Sequence, residues 1–315
     1  MSDLKILVPT VIPIDLEVPA GVVRVDYDVE QPVPEEHRDA EVVVVWLNPG
    51  ERLAALPSEL PRLRWVQGLM AGTDAVHAAG FGPDVVITAG VGLHDQPVAE
   101  HTLAMILAAA RRLDETVVAQ REHRWLDGHT GNQIRNRTGF TTLAGSRVTI
   151  WGFGGIGTTL AGYLTALGAE VVGVARSAGE RDGYRVVTPD DLPEELPRTD
   201  VLVDILPGTQ ELDGAIGAEV FAALPRHAWF VNVGRGVTVD EVALEAALRS
   251  GEIAGAALDV FREEPLPADS PLWDAPNLII TPHSAGGRPQ QPGRLIAENL
   301  RRYLAGEELL GVSTP

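Results

Sequence analysis

Three polar side chains suited to acid–base and anion-binding chemistry each follow a strand-like segment in the last third of the sequence. Arg235 comes after "WFVNVG", Glu264 after "ALDVFRE" and His283 after "LIITP". Because the carboxyl ends of parallel strands meet at one edge of a sheet, we expect the three to face one cleft. There a histidine can protonate a carbonyl oxygen as hydride arrives, a carboxylate can orient its ring, and an arginine can bind a 2-keto acid.

The segment "VTIWGFGGIG" supplies a candidate site for a dinucleotide. Its G-x-G-x-x-G pattern consists of Gly152, Gly154 and Gly157, with Gly155 and Ile156 between them. A strand pattern precedes it, and a helical pattern, "IGTTLAGYLTALG", and a second strand pattern, "AEVVGVA", complete a βαβ unit. In such a unit the glycines let the backbone approach a pyrophosphate that lies on the helix N-terminus.

The end of the second strand in such a unit selects the cofactor, because an acidic residue there binds the ribose 2′-hydroxyl of NAD. This chain has "VVGVARSAG", with Arg176 and Ser177 at that place. An arginine can hold a 2′-phosphate, so the sequence predicts that NADP(H) is favoured over NAD(H). The alternative, a solvated loop arginine, stays open.

Alternating strand and helix patterns indicate an α/β fold with two doubly wound parallel sheets. A long helix predicted over 96–125 separates two series of strands, and an amphipathic helix is predicted within 288–309. The predicted strands are 5–10, 21–28, 40–47, 64–69 and 84–90 before the long helix, and 146–152, 169–175, 199–206, 227–233, 253–260 and 277–283 after it.

Composition excludes several classes of function. The net charge of −19 over 315 residues argues against nucleic acid or an anionic membrane surface as a partner. The chain has no cysteine, which excludes thiolate metal sites, and Lys5 is its only lysine, which leaves essentially no Schiff-base candidate. Without a His-Glu-x-x-His motif no metal is expected, and His101 and His123 are expected on a helix surface or between domains. No apolar segment is long enough to span a bilayer and no signal-peptide pattern occurs, so we expect a cytoplasmic protein.

The sequence resembles a known family, the D-isomer-specific 2-hydroxyacid dehydrogenases. The matching segments are "WGFGGIG", "NVGRGVTVDEVAL", "ALDVFREEPLP" and "TPHSAG", with weaker matches in "RWVQGLMAGTD" and "PVAEHTLAMIL". Within the family the pattern is most similar to NADPH-dependent glyoxylate/hydroxypyruvate reductases. The resemblance implies a Rossmann cofactor domain, 97–285, inserted into a flavodoxin-like substrate-binding domain, 1–96 plus 286–315, and a homodimer.

The resemblance also implies roles for single residues. His283 would be the acid/base, Glu264 its partner and Arg235 the cation that orients the substrate. The backbone N–H groups of Met70, Ala71 and Gly72 would bind the substrate carboxylate. Further residues implied at the cofactor are Asp259, near the nicotinamide carboxamide, and Pro207, Val233 and Gly234, which would line it.

Two alternative functions are compatible with the sequence. One is a phosphoglycerate-dehydrogenase-like enzyme, although such enzymes often carry a regulatory domain and must bind a phosphate, and only Arg62 and Arg64 are basic near Met70–Thr73. Formate dehydrogenases are disfavoured because they carry an amide where Glu264 stands. A non-catalytic NAD(P)H-binding protein similar to the C-terminal binding corepressors is the other alternative. Trp125 and the segment "HTGNQIRNR" are further candidates for the edge of the cleft.

Overall fold

The computed structural model describes residues 4–127 and 139–314, which form two compact units. The first unit contains residues up to 94 and from 288 onward, and the second contains 95–287. The segment "HTGNQIRNR" lies outside the described residues. In the described part of the chain, no helix is both long and apolar enough to cross a membrane, and no cluster of three potential metal ligands occurs.

The first unit is built on a sheet of five parallel strands in the order β2-β1-β3-β4-β5, with helices on both faces. Its elements are β1 Leu4–Pro9, β2 Val22–Tyr27, β3 Val42–Val45, α1 Gly50–Glu59, β4 Trp65–Gly68, α2 Asp74–Ala78, β5 Val86–Thr88 and α9 Pro292–Ala305. The continuous apolar pattern of β3 explains the two faces. Val42 and Val44 pack in one core with α9, whereas Val43 and Val45 pack in the other with α1, because successive side chains of a strand alternate.

The second unit has an eight-stranded sheet in the order β13-β12-β11-β10-β6-β7-β9-β8, parallel except for the edge strand β8. Its strands are β6 Arg147–Trp151, β7 Glu170–Val174, β8 Gly179–Arg181, β9 Tyr184–Val187, β10 Val201–Asp204, β11 Trp229–Asn232, β12 Gly255–Leu258 and β13 Leu278–Ile280. Its helices are α3 Asp95–Arg111, α4 Leu113–Arg121, α5 Gly155–Ala166, α6 Leu192–Glu195, α7 Ala218–Ala223 and α8 Glu241–Ser250. One core packs α3 and α5 on the sheet and the other packs α7 and α8 on its opposite face. The predicted α/β class and parallel sheets are confirmed. Every predicted strand is present: β1 is shifted by one residue, and the others are shorter than predicted.

The structure differs from the predicted elements in two places. The single helix over 96–125 is divided at Arg112, whose left-handed backbone (φ 50°) ends α3 and begins α4. Arg112 is held there by Asp114 (Nη2–Oδ2 3.0 Å) and by Asn277 (Nη2–Oδ1 2.9 Å), a partner distant in sequence. The second difference is the β8–β9 hairpin, for which no strands were predicted.

Candidate active site

The glycine turn between β6 and α5 is shaped by close backbone contacts that only glycine allows. Gly152 has a φ of +103°, and a Cβ on it would lie 2.4 Å from the carbonyl oxygen of Ile205. A Cβ on Gly157 would lie 3.0 Å from the carbonyl oxygen of Gly152, so this glycine lets the helix pack closely. A Cβ on Gly154, the residue before α5, would meet no atom within 4 Å. That side of the turn is therefore open beside a helix N-terminus, which fits a dinucleotide phosphate.

Besides Arg176, a second arginine after β7, Arg181, lies next to the glycine turn. Arg176 and Ser177 are exposed after the strand. Arg181, in β8, donates from Nη1 to the carbonyl oxygen of Phe153 in the glycine turn (2.7 Å) and from Nη2 to Ser177 Oγ (3.2 Å). Arg181 was not among the predicted site residues, because its position depends on the β8–β9 hairpin.

His283 and Glu264 form the direct contact that the sequence predicts. Nδ1 of His283 lies 2.5 Å from Oε2 of Glu264, and the other carboxylate oxygen accepts the backbone N–H of Phe261 at 2.9 Å. About half of the His283 side chain is exposed. Because Glu264 engages Nδ1, Nε2 is the ring nitrogen left for proton exchange with a ligand.

Arg235 lies in the loop after β11, which packs on the loop that carries Glu264. A Cβ on Gly236 would lie 1.9 Å from the carbonyl carbon of Phe261, so only glycine allows the two loops to touch. Nη1 of Arg235 donates to the carbonyl oxygen of Gly234 (2.9 Å), and its Cγ would be 3.1 Å from a Cβ on Gly208. The structure thus brings the loops of Arg235 and Glu264 together at the carboxyl edge of the sheet.

Three further residues that are expected to line the cofactor, Pro207, Val233 and Gly234, follow β10 and β11 at the same edge. Gly234 is buried, and a Cβ on it would lie 2.6 Å from the carbonyl oxygen of Leu206. Pro207 is exposed after β10, whereas the side chain of Val233 is only 7% exposed and packs in the core with α3 and α5.

In the first unit, Met70, Ala71 and Gly72 form a loop at the carboxyl end of β4. The loop is held by His94, whose Nε2 lies 2.6 Å from the carbonyl oxygen of Leu69, and by Gly90, whose N–H donates to Met70 O at 2.7 Å. Within residues 4–127 and 139–314, the N–H groups of the three loop residues donate no hydrogen bond to the chain. Three such donors on one loop suit a carboxylate ligand.

Comparison with known proteins decides the family. The model of the NAD binding domain of D-isomer specific 2-hydroxyacid dehydrogenases matches residues 103–285. The chain belongs to this family. It is 33% identical to glyoxylate/hydroxypyruvate reductase A of Serratia proteamaculans (strain 568) over 89% of this chain and 88% of the relative. It is 35% identical to D-3-phosphoglycerate dehydrogenase of Mycobacterium leprae (strain TN) over 78% of this chain, but spans only 46% of that relative.

A solved structure extends the likeness over nearly the whole chain. The NADPH-dependent glyoxylate/hydroxypyruvate reductase of Sinorhizobium meliloti, solved with NADP and sulfate, shares 29% identity with a TM-score of 0.81. The match covers 99% of this chain and 98% of that one. As a member of this family, the protein is an NAD(P)-dependent 2-hydroxyacid dehydrogenase with a Rossmann cofactor-binding fold.

Asp259 of this dehydrogenase anchors the loop that carries His283. Its carboxylate accepts Thr281 Oγ1 (2.5 Å), Ser284 N (2.9 Å) and Ala285 N (2.8 Å), and its carbonyl oxygen accepts His283 N (2.8 Å). Burial alone would raise the pKa of Asp259, but hydrogen bonds from His101, Thr281 and the loop N–H groups lower it to about 2. The carboxylate is therefore charged and committed to the loop, and its contact with a nicotinamide carboxamide stays a prediction.

His101 of the dehydrogenase joins the same cluster from α3. Its Nε2 lies 3.1 Å from Thr281 Oγ1 and 3.3 Å from Asp259 Oδ1. His101 is partly exposed on α3, with 23% of its side chain accessible, and its two partners, 158 and 180 positions away in sequence, belong to the same unit.

Proposed function

We propose that this dehydrogenase reduces a small 2-keto acid of the glyoxylate/hydroxypyruvate type to the corresponding 2-hydroxy acid, of the D configuration where the product is chiral, with NADPH as the preferred reductant. The observation that carries the proposal is the His283–Glu264 pair beside the loop of Arg235, at the edge of the sheet that also holds the glycine turn. The names of the reductases to which the chain is similar support this substrate class.

The bound cofactor supplies a hydride to the keto carbon, and the protein supplies the proton and the orientation. His283 donates a proton from Nε2 to the carbonyl oxygen, and the charge of Glu264 at Nδ1 stabilises the protonated ring. Arg235 binds the substrate carboxylate or carbonyl through its guanidinium fork. The loop Met70–Gly72 offers its N–H groups to the carboxylate.

The phosphoglycerate alternative lacks support at the loop where a substrate would bind. Arg62 and Arg64 precede β4, so they lie at its amino end, whereas Met70–Gly72 follow its carboxyl end. They also line a separate cavity of about 390 Å³ with Glu41 and Asp84. These arginines are therefore not placed to bind a phosphate next to the loop Met70–Gly72.

A panel of 2-keto acids tests the substrate proposal. The purified protein is expected to oxidise NADPH in the presence of glyoxylate or hydroxypyruvate. Its kcat/KM should be lower for bulkier 2-keto acids and for 3-phosphohydroxypyruvate. The decrease in NADPH absorbance measures the rate. Binding of NADPH without oxidation by any acid in the panel would favour the non-catalytic, corepressor-like alternative.

Cofactor preference depends in this proposal on Arg176, Ser177 and Arg181, which can surround a 2′-phosphate. Arg176→Ala and Arg181→Ala are each expected to raise the KM for NADPH about tenfold, because a hydrogen bond to a charged group contributes about 1.5–3 kcal/mol. The KM for NADH should change little in Arg176→Ala, since NADH has no 2′-phosphate, whereas Arg181→Ala also removes the hydrogen bond to Phe153 in the glycine turn that both cofactors would use. Steady-state kinetics with both cofactors measures the change.

Arg226 offers a matched control, because it is an exposed arginine of the same unit just before the amino end of β11. Arg226→Ala should leave both KM values unchanged. A wild-type protein that prefers NADH, or an Arg176→Ala variant that weakens NADPH and NADH equally, would contradict the assignment. The homodimer and the cytoplasmic location expected from the sequence stay predictions.

A further inference from the structure

Residues 310–313 extend the sheet of the first unit beyond β5. The N–H of Ala89 donates to the carbonyl oxygen of Gly311 (2.8 Å), and the N–H of Ser313 donates to that of Ile87 (2.9 Å). Thr88 and Val312 pair as an antiparallel bridge. This segment, called here the edge segment, therefore has a fixed register against β5.

Buried polar contacts and a glycine fix the edge segment in place. The carboxamide of Asn299 in α9 accepts the N–H of Leu310 (2.8 Å) and donates to Gln67 in β4 (2.8 Å). Both amide side chains are fully buried. Gly311 has a φ of +73°, and a Cβ on it would lie 2.6 Å from Val91 Cγ2. Ser313 is consequently held at one position beside β5.

The Ser313 hydroxyl lies within hydrogen-bond distance of two side chains that follow the loop Met70–Gly72. Its Oγ lies 2.7 Å from Thr73 Oγ1 and 3.1 Å from His77 Nε2. A hydroxyl can donate one hydrogen bond and accept others, so Ser313 can satisfy both partners at once. Thr73 comes directly after Gly72 and is 6% exposed, and His77 lies in α2.

The loop Met70–Gly72 is thus fixed at both ends. Gly90 holds Met70 at the start, and Ser313 holds Thr73 at the end. We propose that Ser313 is a positioning residue for the substrate: through Thr73 it keeps the N–H groups of Met70–Gly72 directed at the substrate carboxylate. This inference rests on the proposed function, in which that loop binds the 2-keto acid.

Ser313→Ala is expected to raise the KM for glyoxylate or hydroxypyruvate about fivefold, the usual consequence of losing one net hydrogen bond. The value of kcat should change less than twofold, because the carboxylate contact is made equally in the ground state and the transition state. The KM for NADPH should not change. Ser313→Thr keeps the hydroxyl and should restore most of the affinity for the 2-keto acid. Steady-state kinetics with each substrate varied in turn measures these values.

Val312→Thr is the matched control, because Val312 belongs to the edge segment but its side chain is 48% exposed. A second measurement, amide hydrogen exchange followed by mass spectrometry, is independent of turnover. Ser313→Ala should speed exchange in peptides covering 70–77 and leave peptides covering β6 unchanged.

The outcomes separate the two proposals. If the wild-type protein reduces none of the acids, the proposed function fails and takes the substrate role of Ser313 with it, whatever the exchange shows. If the wild type is active and Ser313→Ala changes neither exchange nor KM, the inference on Ser313 alone is overturned. Faster exchange with an unchanged KM would reduce Ser313 to a structural contact and equally overturn its positioning role.

Discussion

His283→Ala is expected to lower kcat for 2-keto acid reduction by about 10²–10⁴-fold, the usual contribution of a positioned general acid. The reason is that Nε2 of His283 is the proton donor in the proposed reaction, with Nδ1 held 2.5 Å from Glu264. The variant should still bind NADPH, because the glycine turn and the arginines after β7 do not contact this side chain in any hydrogen bond that the described residues make. Initial rates measure kcat, and titration of NADPH fluorescence measures binding.

Another histidine–carboxylate pair of the same unit, distant from His283, serves as a control. His227 Nε2 lies 2.7 Å from Asp200 Oδ1, just before the amino end of β11 and so at the opposite edge of the sheet. His227→Ala should retain wild-type kcat. If His283→Ala kept more than about a tenth of the activity, or if both variants lost it equally, His283 would not be the proton donor.

The meeting of the loops of His283 and Glu264 was predictable from sheet topology, whereas the choice of Glu264 over the neighbouring Glu263 came from the resemblance to the family. Residues that follow neighbouring parallel strands must meet at the carboxyl edge, however far apart they lie in sequence. The sequence could not reveal what fixes the pair. Asp259 and His101 hold the loop of His283 through Thr281, and nothing in the helical pattern around His101 distinguishes it from a surface residue.

Arg181 was missed although the sequence contains a signal for the hairpin that carries it. The tripeptide "RDG" contains the Asp-Gly pair typical of a two-residue hairpin turn. In the structure Asp182 and Gly183 both have positive φ, 50° and 82°, as a type I′ turn requires. The strands on either side have only three and four residues, too few for a clear alternating pattern.

The helix break at Arg112 could not be found from local pattern, because helical periodicity continues across it. The left-handed residue is stabilised by a contact with Asn277, 165 positions later. The two helices differ in burial. Seven residues of α3 are buried, whereas Ala119 is the buried residue among the nine of α4. Leu113, Val117 and Val118 are left about half exposed.

Asp204→Asn is expected to reduce the dependence of stability on pH. Asp204 ends β10 and is fully buried, where it accepts the N–H of Leu206 (2.8 Å) and the hydroxyl of Thr238 (2.5 Å). Burial raises the pKa of this carboxyl from 3.8 to about 7, against the opposing effect of these two hydrogen bonds. Because the folded state holds the proton more tightly, this stabilisation is complete below about pH 4 and is lost as the pH rises through about 7.

The expected size follows from that difference in pKa. Between pH 5.5 and 8.5 the wild type should lose about 2 kcal/mol of unfolding free energy through this group alone, since one pKa unit corresponds to about 1.4 kcal/mol. Asp204→Asn should not show this loss. Urea unfolding at a series of pH values measures it, and Asp190→Asn, at an exposed carboxylate of the same unit, is the control. Equal pH slopes for the wild type and Asp204→Asn would show that Asp204 stays ionised throughout.

The geometry explains why an amide can replace this acid. Thr238 Oγ1 also lies 2.6 Å from the carbonyl oxygen of Arg235, and its single proton cannot serve both oxygens. When Asp204 is protonated, it can donate to Thr238, and Thr238 can then donate to the Arg235 carbonyl. The amide introduced by Asp204→Asn would reproduce this order at every pH, with its nitrogen toward Thr238 and its oxygen toward Leu206. The protonation of Asp204 therefore couples the pH of the solution to the hydrogen bond that Thr238 makes with the backbone carbonyl of Arg235.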